Sequence, residues 1–434
     1  MQMSQLQVVF ILLIVAGAAV YHVQDSVFLK MYPVARAQLG HHLGLRSDQV
    51  EIDIRNTNDT LAAPHEHLDF DSEVPESINR NNLSSHTQSP DNGTCQPHLN
   101  VAFLKVHKCG SSLLSHMFLR FGYENRLLTA LPRRKGGSII GSMGKIGDGS
   151  YLNTPGGKRW NIFAHHAMYN RTRFRQLMAA DARYVTILRE PLQRLQSSFK
   201  YFDLGLRFSG LKEKTPRGTP YVTTYLKNAT YWDPKYKVPK SLKHREHYCF
   251  RNCMARDLGL QEHEYENHTA VQEFVRGIEN DFSTVLILEH LPASLVLLKR
   301  RMCWTLYNIL YTMGVHTRRQ RYKREAPITD AMKRAFYKHN YADVMLYTRF
   351  NDSFHKQISQ EGADFFEEVK HFVQVNHAVM RYCKSGKRKQ GKMTVKASRW
   401  DEAFSVDQTL CSLYGKKRPY FDKLLRRAYR QKSV

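Results

Sequence analysis

Acidic residues are scarce in this sequence: its 434 residues include 39 Asp and Glu against 65 Lys and Arg. The net charge of +26 predicts a surface that attracts anions, whether nucleic acid, anionic glycan, acidic lipid or a phosphate-bearing small molecule. No pair of acidic residues has the placement that would hold Mg²⁺, so we expect no bound metal. Charge does not choose among these anions, and the choice depends on where the chain resides.

Long apolar runs are equally rare, and the single long one covers residues 8–20, VVFILLIVAGAAV. We interpret residues 8–23 as a transmembrane signal anchor, with residues 1–7 as a cytoplasmic tail. The alternative is a signal peptide cleaved near Ala16-Gly17-Ala18. Under either interpretation most of the chain enters the secretory lumen, which argues against nucleic acid as a partner.

Cysteine is also sparse, with seven residues in the chain. In an oxidising lumen six can form disulfides, and we expect Cys109 to be the free thiol. Three residues separate Cys249 from Cys253, which is not zinc-ribbon spacing, so no metal site is predicted there. Seven N-x-[ST] sequons are consistent with a lumenal chain, namely Asn58, Asn82, Asn92, Asn170, Asn228, Asn267 and Asn351.

Residues 24–97 are polar, rich in Asn, Asp, Ser and His, and weakly periodic. Such a segment buries too little apolar surface to fold alone, so we predict a lumenal stem. The globular domain is predicted over residues 98–434. Within this domain, residues 136–158 are rich in glycine. This composition predicts a mobile loop that is either functional or a tolerated insertion.

Apolar strand patterns alternate with helical ones in the first half of the globular domain. The predicted strands are 101–104, 160–164, 184–188 and 285–288, and the helix after the first strand is predicted to end at Gly122. This alternation predicts an α/β fold with a central, mainly parallel sheet flanked by helices. Ligands bind beyond the carboxyl ends of such strands. Because Lys108, the pair His165 and His166, and Arg189 each follow a strand, all can face one crevice.

The segment Lys108-Cys109-Gly110-Ser111-Ser112 joins the first strand to its helix. Backbone N–H groups, the helix dipole, the lysine charge and two serine hydroxyls would together hold an anion. The Walker pattern of ATP and GTP sites places its lysine after the second glycine, whereas Lys108 precedes Gly110, so a nucleotide kinase is excluded. An ordinary strand-to-helix turn is the alternative for this loop taken alone.

A second anion motif is Arg189-x-Pro191-x-x-Arg194-x-x-Ser197, in which an arginine follows a strand and a serine lies in the next helix. The arginine fork and the serine hydroxyl can hold a second phosphate. In this order the two motifs resemble the 5′-phosphosulfate and 3′-phosphate motifs of sulfotransferases that use 3′-phosphoadenosine 5′-phosphosulfate (PAPS).

The resemblance extends to one family, the galactose 3-O-sulfotransferases, over residues 98–310. It is carried by the segments LKVHKCGSSLL, NIFAHHAMYN, YVTILREPLQRLQSSFKYF, YWDP, HYCFRNCMARDLGL and EHLPASLVLLKRRMCW. It implies a P-loop-like sulfotransferase fold, PAPS as donor, and transfer to the 3-hydroxyl of a terminal galactose on a glycolipid or glycoprotein. It also implies a single-pass type II protein of the Golgi membrane with a lumenal catalytic domain.

The resemblance further implies roles for individual residues. The donor is expected to contact Lys105, Lys108, Cys109, Gly110, Ser111, Ser112, Arg189 and Ser197, with the alternative for Lys105 that it only lines its strand. His166 stands where the family has a histidine and is the predicted base for the sugar hydroxyl, while Lys108 stabilises charge on the bridging oxygen. His165 aligns with a residue that does not titrate. Neighbouring side chains of a strand point to opposite faces, so we expect only one of the two histidines to reach the acceptor easily. Glu289 is a second titratable candidate, or the cap of the helix after its strand.

Two other functions stay open. A sulfotransferase for another glycan, such as a glycosaminoglycan, would grip the polymer with the basic runs at 317–325, 384–392 and after 415, although such runs are usually solvated surface. A non-catalytic lumenal protein that binds anions or glycans would keep the fold without the chemistry. For a galactose acceptor, Tyr231, Trp232 and Asp233 offer a sugar platform, unless they form a turn packed on the core.

Overall fold

The computed structural model describes residues 95–141, 145–237, 249–312, 328–385 and 391–431. Apart from Cys95 and Gln96, these residues belong to one compact unit. The predicted cytoplasmic tail, the signal anchor, most of the stem and the sequons at Asn58, Asn82 and Asn92 lie outside the described residues. Among the helices of the described ranges, none has the length and apolar character needed to span a membrane.

A four-stranded sheet forms the centre of the domain. Its strands are β1 (Val101–Leu104), β2 (Ile162–Phe163), β3 (Arg183–Leu188) and β4 (Phe282–Ile287). They lie in the order β2-β1-β3-β4, and all neighbouring strands are parallel. Every residue of β1 is buried, as expected for a parallel sheet covered by helices. The predicted α/β fold with a central parallel sheet is therefore confirmed.

Helices connect the strands and make up most of the second half of the domain, as predicted. In chain order they are α1 (Ser111–Glu124), α2 (Arg171–Leu177), α3 (Pro191–Phe202), α4 (Tyr221–Leu226), α5 (Ala229–Trp232), α6 (Cys253–Asp257), α7 (His268–Asp281), α8 (Leu291–Met302), α9 (Leu306–Ile309), α10 (Asp330–His339), α11 (Tyr341–Ser359), α12 (Phe365–Lys384), α13 (Gln408–Tyr414) and α14 (Arg418–Gln431). A small antiparallel pair, β5 (Met393–Val395) and β6 (Phe404–Val406), lies between α12 and α13 in the chain.

The prediction that α1 ends at Gly122 is wrong. The helix continues to Glu124, and Asn125 caps it by donating to the Phe121 carbonyl from both its backbone and its side chain. Gly122 lies inside the helix, where a Cβ would come within 2.7 Å of the Thr129 hydroxyl oxygen. Close packing, rather than helix termination, therefore explains this glycine.

Two strand ends also differ from the prediction. β2 is shorter because Trp160 bonds instead to the end of α2, with its N–H donating to the Leu177 carbonyl at 2.8 Å. β4 begins earlier, at Phe282, and gives way to a short 3₁₀ turn, Leu288–His290. α8 follows at once at Leu291, and Pro292 suits the first turn of a helix.

The cysteines behave as the sequence predicted. Disulfides join Cys249 to Cys253 and Cys383 to Cys411, while Cys95 and Cys303 are also disulfide-bonded. Cys109 is the free cysteine and is fully buried, which confirms the prediction for this residue.

Candidate active site

The loop between β1 and α1 is tightly closed. Lys108 and Gly110 both adopt left-handed backbone conformations, with φ of 67° and 71°. A Cβ at Gly110 would lie 2.6 Å from a methyl group of Leu288, so this position requires glycine. The Ser111 hydroxyl donates to the Val106 carbonyl at 2.5 Å and closes the loop from within. Gly110 directly precedes α1, whose first backbone N–H groups are therefore available to an anion.

The side chains of this loop differ in what they offer to an anion. The Cys109 thiol lies 3.6 Å from the His107 carbonyl, and burial raises its pKa, so it stays protonated. The Ser111 hydroxyl is buried and donates within the loop, which is not the contact with an anion that the sequence predicted. Ser112 is exposed on the first turn of α1. Cys109 and Ser111 thus offer backbone N–H groups rather than side chains.

The Lys108 side chain extends from this loop to α3. Its ammonium lies 3.6 Å from the centroid of the Tyr201 ring, which is a cation–π contact. Burial, and next the positive charge of Arg189, lower the pKa of Lys108 to about 8. Because an anion bound between these two cations would relieve their repulsion, their proximity indicates an anion site.

Arg189 follows β3 directly, and its Nη1 donates to the Lys108 carbonyl at 3.3 Å. Its Nε is buried and has no hydrogen-bond partner among the described residues. Buried donors in native proteins are nearly always paired, so this nitrogen is a donor that a bound anion could satisfy. Ser197 lies one turn before Tyr201 on α3, and the two side chains share a helix face. Lys108 and Arg189 therefore meet, and Ser197 lies on the face of α3 that Lys108 contacts.

His166 follows β2 and contacts the same loop. Its Nδ1 bonds to the Lys105 carbonyl at 2.8 Å. Because a carbonyl can only accept, Nδ1 carries the proton and the lone pair of the neutral ring lies on Nε2. The ring stacks on that of His107, with centroids 3.9 Å apart. His166 is thus half-buried and held in the tautomer that a general base needs.

The glycine-rich segment, predicted as a mobile loop, is bonded to His166 where it is described. The His166 N–H donates to the Ser138 carbonyl at 3.1 Å, and the Ile140 N–H donates to the His166 carbonyl at 2.9 Å. Further along, the Arg133 N–H donates to the Ser150 carbonyl at 3.1 Å. The segment therefore flanks the predicted base, which favours a functional loop over a mere insertion.

Sequence reasoning missed His107 and Asp257. The Asp257 carboxylate accepts from the His107 backbone N–H at 2.7 Å and from its Nδ1 at 2.8 Å. It therefore fixes the ring on which His166 stacks. Both residues lie in segments that carry the family resemblance, but they are 150 positions apart, and no spacing rule connects residues at such a distance.

His165 and Lys105 lie with the C-terminal helix α14. His165 is fully buried, its Nε2 donates to the Asp422 carboxylate at 3.0 Å, and burial lowers its pKa. Burial also lowers the pKa of Lys105 to about 7, with the charge of Arg418 adding to the effect and Asp422 opposing it. The contact of Lys105 with the donor stays a prediction.

Glu289 follows β4 and binds the start of α3. One carboxylate oxygen accepts from the Glu190 N–H at 3.1 Å, and the other accepts from the Tyr347 hydroxyl at 3.2 Å. Glu190 is itself the N-cap of α3. Glu289 therefore fixes the backbone directly after Arg189, and these bonds do not cap the helix that follows its own strand.

The segment proposed as a sugar platform divides into two parts. Trp232 is buried and donates from Nε1 to the Thr224 carbonyl at 3.3 Å, and Asp233 accepts from the Tyr225 hydroxyl at 2.7 Å. Tyr231 is exposed, with the Lys235 ammonium 3.5 Å from its ring centroid. The packed-turn alternative therefore holds for Trp232 and Asp233, and Tyr231 alone is presented to solvent.

Together these groups form a candidate anion-binding site at the carboxyl ends of a parallel α/β sheet. A family model described as Galactose-3-O-sulfotransferase matches residues 26–401 of the chain, and the chain belongs to this family. The match extends on both sides of the segments in which we found the resemblance, and it ends before α14.

Curated relatives agree with the family model. Galactosylceramide sulfotransferase of Homo sapiens is 29% identical over 341 residues, which is 77% of this chain and 73% of the relative. The Bos taurus protein of the same name is 28% identical over 298 residues, 68% of this chain and 66% of the relative. Galactose-3-O-sulfotransferase 3 of Mus musculus is 28% identical over 292 residues, 66% of this chain and 63% of the relative. These matches confirm the family and the enzyme class, sulfotransferase, that the sequence predicted.

Proposed function

We propose that this protein transfers a sulfuryl group from PAPS to the 3-hydroxyl of a terminal β-galactose on a glycolipid or glycoprotein glycan. The observation that carries the proposal is the meeting of Lys108 and Arg189 at one edge of the sheet, where no described residue supplies an acceptor for the Arg189 Nε. His166 contacts the same loop in the tautomer of a base. Family membership supports the reaction class, and the names of the relatives support galactose as the acceptor.

The two ends of the donor fit two parts of the crevice. The N–H groups of the loop, together with Lys108, would hold the 5′-phosphosulfate. Arg189 and Ser197 would hold the 3′-phosphate, whose oxygen would supply the missing acceptor for the Arg189 Nε. When bound, the donor supplies a sulfuryl group joined to a good leaving group, adenosine 3′,5′-bisphosphate. A sulfuryl group carries less charge than a phosphoryl group, so we expect two protein cations to suffice without a metal.

His166 takes the proton of the galactose 3-hydroxyl on its Nε2 as that hydroxyl attacks sulfur. The Lys105 carbonyl, which accepts the Nδ1–H, holds the ring in place and stabilises the imidazolium that forms. Negative charge grows on the oxygen that joins sulfur to the leaving group, and the Lys108 ammonium stabilises it.

For the cellular location, we infer a single-pass type II protein of the Golgi membrane, anchored by residues 8–23, with its catalytic domain in the lumen. The apolar run and the sequons support this inference. So do the bridges Cys249–Cys253 and Cys383–Cys411, because disulfides form and persist in oxidising compartments.

A matched acceptor panel with radiolabelled PAPS tests the proposed reaction. The panel contains galactosylceramide, lactose, N-acetyllactosamine, core-1 disaccharide, and desulfated heparan and chondroitin, and NMR or methylation analysis locates the new sulfate. We expect sulfate at galactose C3. Transfer confined to uronic acid or hexosamine hydroxyls would instead indicate a glycosaminoglycan sulfotransferase. Tight binding of the bisphosphate without any transfer would indicate a non-catalytic binding protein.

A further inference from the structure

The C-terminal helix α14 lies beyond residue 401, where the family match ends. Side chains on one of its faces bond to carbonyl groups of the segment that leads to His166. Arg418 donates to the Gly137 carbonyl at 2.5 Å and to the Gly136 carbonyl at 3.2 Å, Arg426 donates to the Pro132 carbonyl, and the Tyr429 hydroxyl donates to the Thr129 carbonyl at 2.6 Å. Because helical positions spaced by three or four residues share a face, these contacts form one continuous attachment.

Asp422 completes this face and is itself buried, with 4% of its surface exposed. Its carboxylate accepts from His165 Nε2 at 3.0 Å and pairs with Arg418. Lys105 also interacts with it electrostatically. A buried ion pair of this kind adds little net stability over apolar packing, yet breaking it leaves uncompensated buried charge. Its value to the protein is therefore expected in the geometry that it imposes.

The contacts of α14 affect the position of His166 in two ways. The first is the backbone, since Ser138 and Ile140, which follow the carbonyls held by Arg418, both bond to the His166 backbone. The second is the side chain of His165, the preceding residue, which Asp422 holds in place. Loss of either contact would allow the backbone at His166 to shift, while the bonds that hold the loop between β1 and α1, from Ser111 to the Val106 carbonyl and from Arg189 to the Lys108 carbonyl, stay in place.

We propose that α14 positions the catalytic base and that Asp422 is a positioning residue for His166. The inference rests on the proposed function, in which His166 is the base. In this role Asp422 acts on neither donor nor acceptor directly. It acts through His165 and Arg418, which fix the direction of the neighbouring His166 ring toward the acceptor hydroxyl.

The test compares Asp422→Asn with Lys423→Ala in the full-length, membrane-bound protein. The first variant keeps the shape and an acceptor for His165 but removes the charge that pairs with Arg418. We expect kcat to fall about 10-fold, because small displacements of a catalytic group cost rate steeply. The KM for PAPS and the Kd for adenosine 3′,5′-bisphosphate should change less than kcat does, because Lys108 and Arg189 keep their contacts and only the charge of Lys105 depends on Asp422. Lys423 is exposed on the same helix, and its alanine variant should match wild type in every measurement.

If Asp422→Asn does not accumulate as folded protein, Arg418→Gln serves as the second variant, because it removes the bonds to Gly136 and Gly137 and leaves the Asp422–His165 contact. It should show the same selective loss of kcat. A wild-type kcat in a folded variant, even one with a lower melting temperature, would overturn the proposal, and so would an equal loss of donor affinity. Failure of the proposed function looks different: His166→Ala would keep normal turnover, or the wild type would not sulfate galactose.

Discussion

At the scale of single residues, two adjacent histidines acquire opposite properties from their partners. His165 donates a hydrogen bond from its Nε2–H to the Asp422 carboxylate, and its Nδ1 is buried with no partner among the described residues. Protonation there would leave an unpaired buried donor, so His165 stays neutral and out of reach. His166 donates a hydrogen bond from its Nδ1–H to the Lys105 carbonyl, so the lone pair of its neutral ring lies on Nε2.

His166→Ala should therefore lower turnover by at least about 10²-fold, the scale of a lost general base, while leaving bisphosphate binding intact. His165→Ala removes only a side chain that supports the position of its neighbour, and we expect a loss of about tenfold at most. Turnover at saturating PAPS, with calorimetric titration of the bisphosphate, distinguishes the two. Equal losses, or a larger loss at His165, would overturn the assignment of the base.

Because the pKa of Lys108 is lowered, we expect donor binding to depend on pH. Its pKa of about 8 lies below the usual lysine value because of burial and the charge of Arg189, and an anion binds best to the charged form. Bisphosphate affinity should thus fall more steeply above pH 8, by up to about tenfold per unit from Lys108 alone, because this lysine must then take up a proton on binding. Lys108→Arg, which stays charged, should lose that steeper fall and keep only the one contributed by Lys105, whose pKa is about 7; a wild-type profile with no steeper fall above pH 8 would contradict this role.

Residues that follow a strand were predictable, whereas their distant partners were not. Lys108 and Arg189 could be placed together because parallel strands end at the same edge of a sheet. The Asp257 carboxylate that holds His107 could not be predicted, since its position depends on how α6 packs. The Ser111 hydroxyl was predicted to face the anion, but the loop closes on itself through the Val106 carbonyl.

At the scale of elements, local patterns predicted which segments are strands and helices, and tertiary contacts decided where they end. The strand β1 was predicted to the residue because it is a continuous apolar run covered by helices. α1 runs past Gly122 because the glycine accommodates Thr129, which no local pattern reveals. β4 ends at Ile287 because a 3₁₀ turn follows it and packs Leu288 against Gly110, in the loop between β1 and α1.

The closed loop predicts a specific effect of Gly110→Ala. The left-handed backbone alone costs a non-glycine residue about 1–2 kcal/mol, and the added Cβ would also displace Leu288 in the turn that follows β4. We expect a lower melting temperature and weaker bisphosphate binding. Gly156→Ala is the matched control, since Gly156 has φ of 63° with nothing within 4 Å of an added Cβ, so it should show strain without loss of binding. Unchanged affinity in Gly110→Ala would contradict the assignment of the loop.

At the scale of the whole molecule, charge and composition indicated an anion-binding lumenal protein, and the order of two motifs indicated its class. The role of α14 had no sequence signal: Asp422 is 257 positions from His165, and its basic neighbours resemble ordinary solvated surface. Long-range contacts of this kind depend on the packed domain, so they follow from the structure alone.

The membrane interpretation makes a prediction at this scale. The full-length chain should sediment with membranes and carry glycans that an endoglycosidase removes. Asn170, Asn228 and Asn267 are exposed, and each caps a helix through its side-chain oxygen, which attachment of a glycan to the amide nitrogen leaves in place. Fractionation and gel mobility measure both properties. A soluble, secreted chain that begins near residue 20 would instead show a cleaved signal peptide.

In the proposed site, Lys108 and Arg189 hold the two phosphate-bearing ends of one nucleotide. The most direct test is calorimetric comparison of adenosine 3′,5′-bisphosphate with adenosine 5′-monophosphate. The bisphosphate should bind wild type about 10- to 150-fold more tightly, the scale of a charge-assisted bond worth ~1.5–3 kcal/mol. Arg189→Ala should abolish that difference, while Lys108→Ala should weaken both nucleotides. Equal affinities in wild type, or tighter binding of ATP with Mg²⁺, would contradict the account.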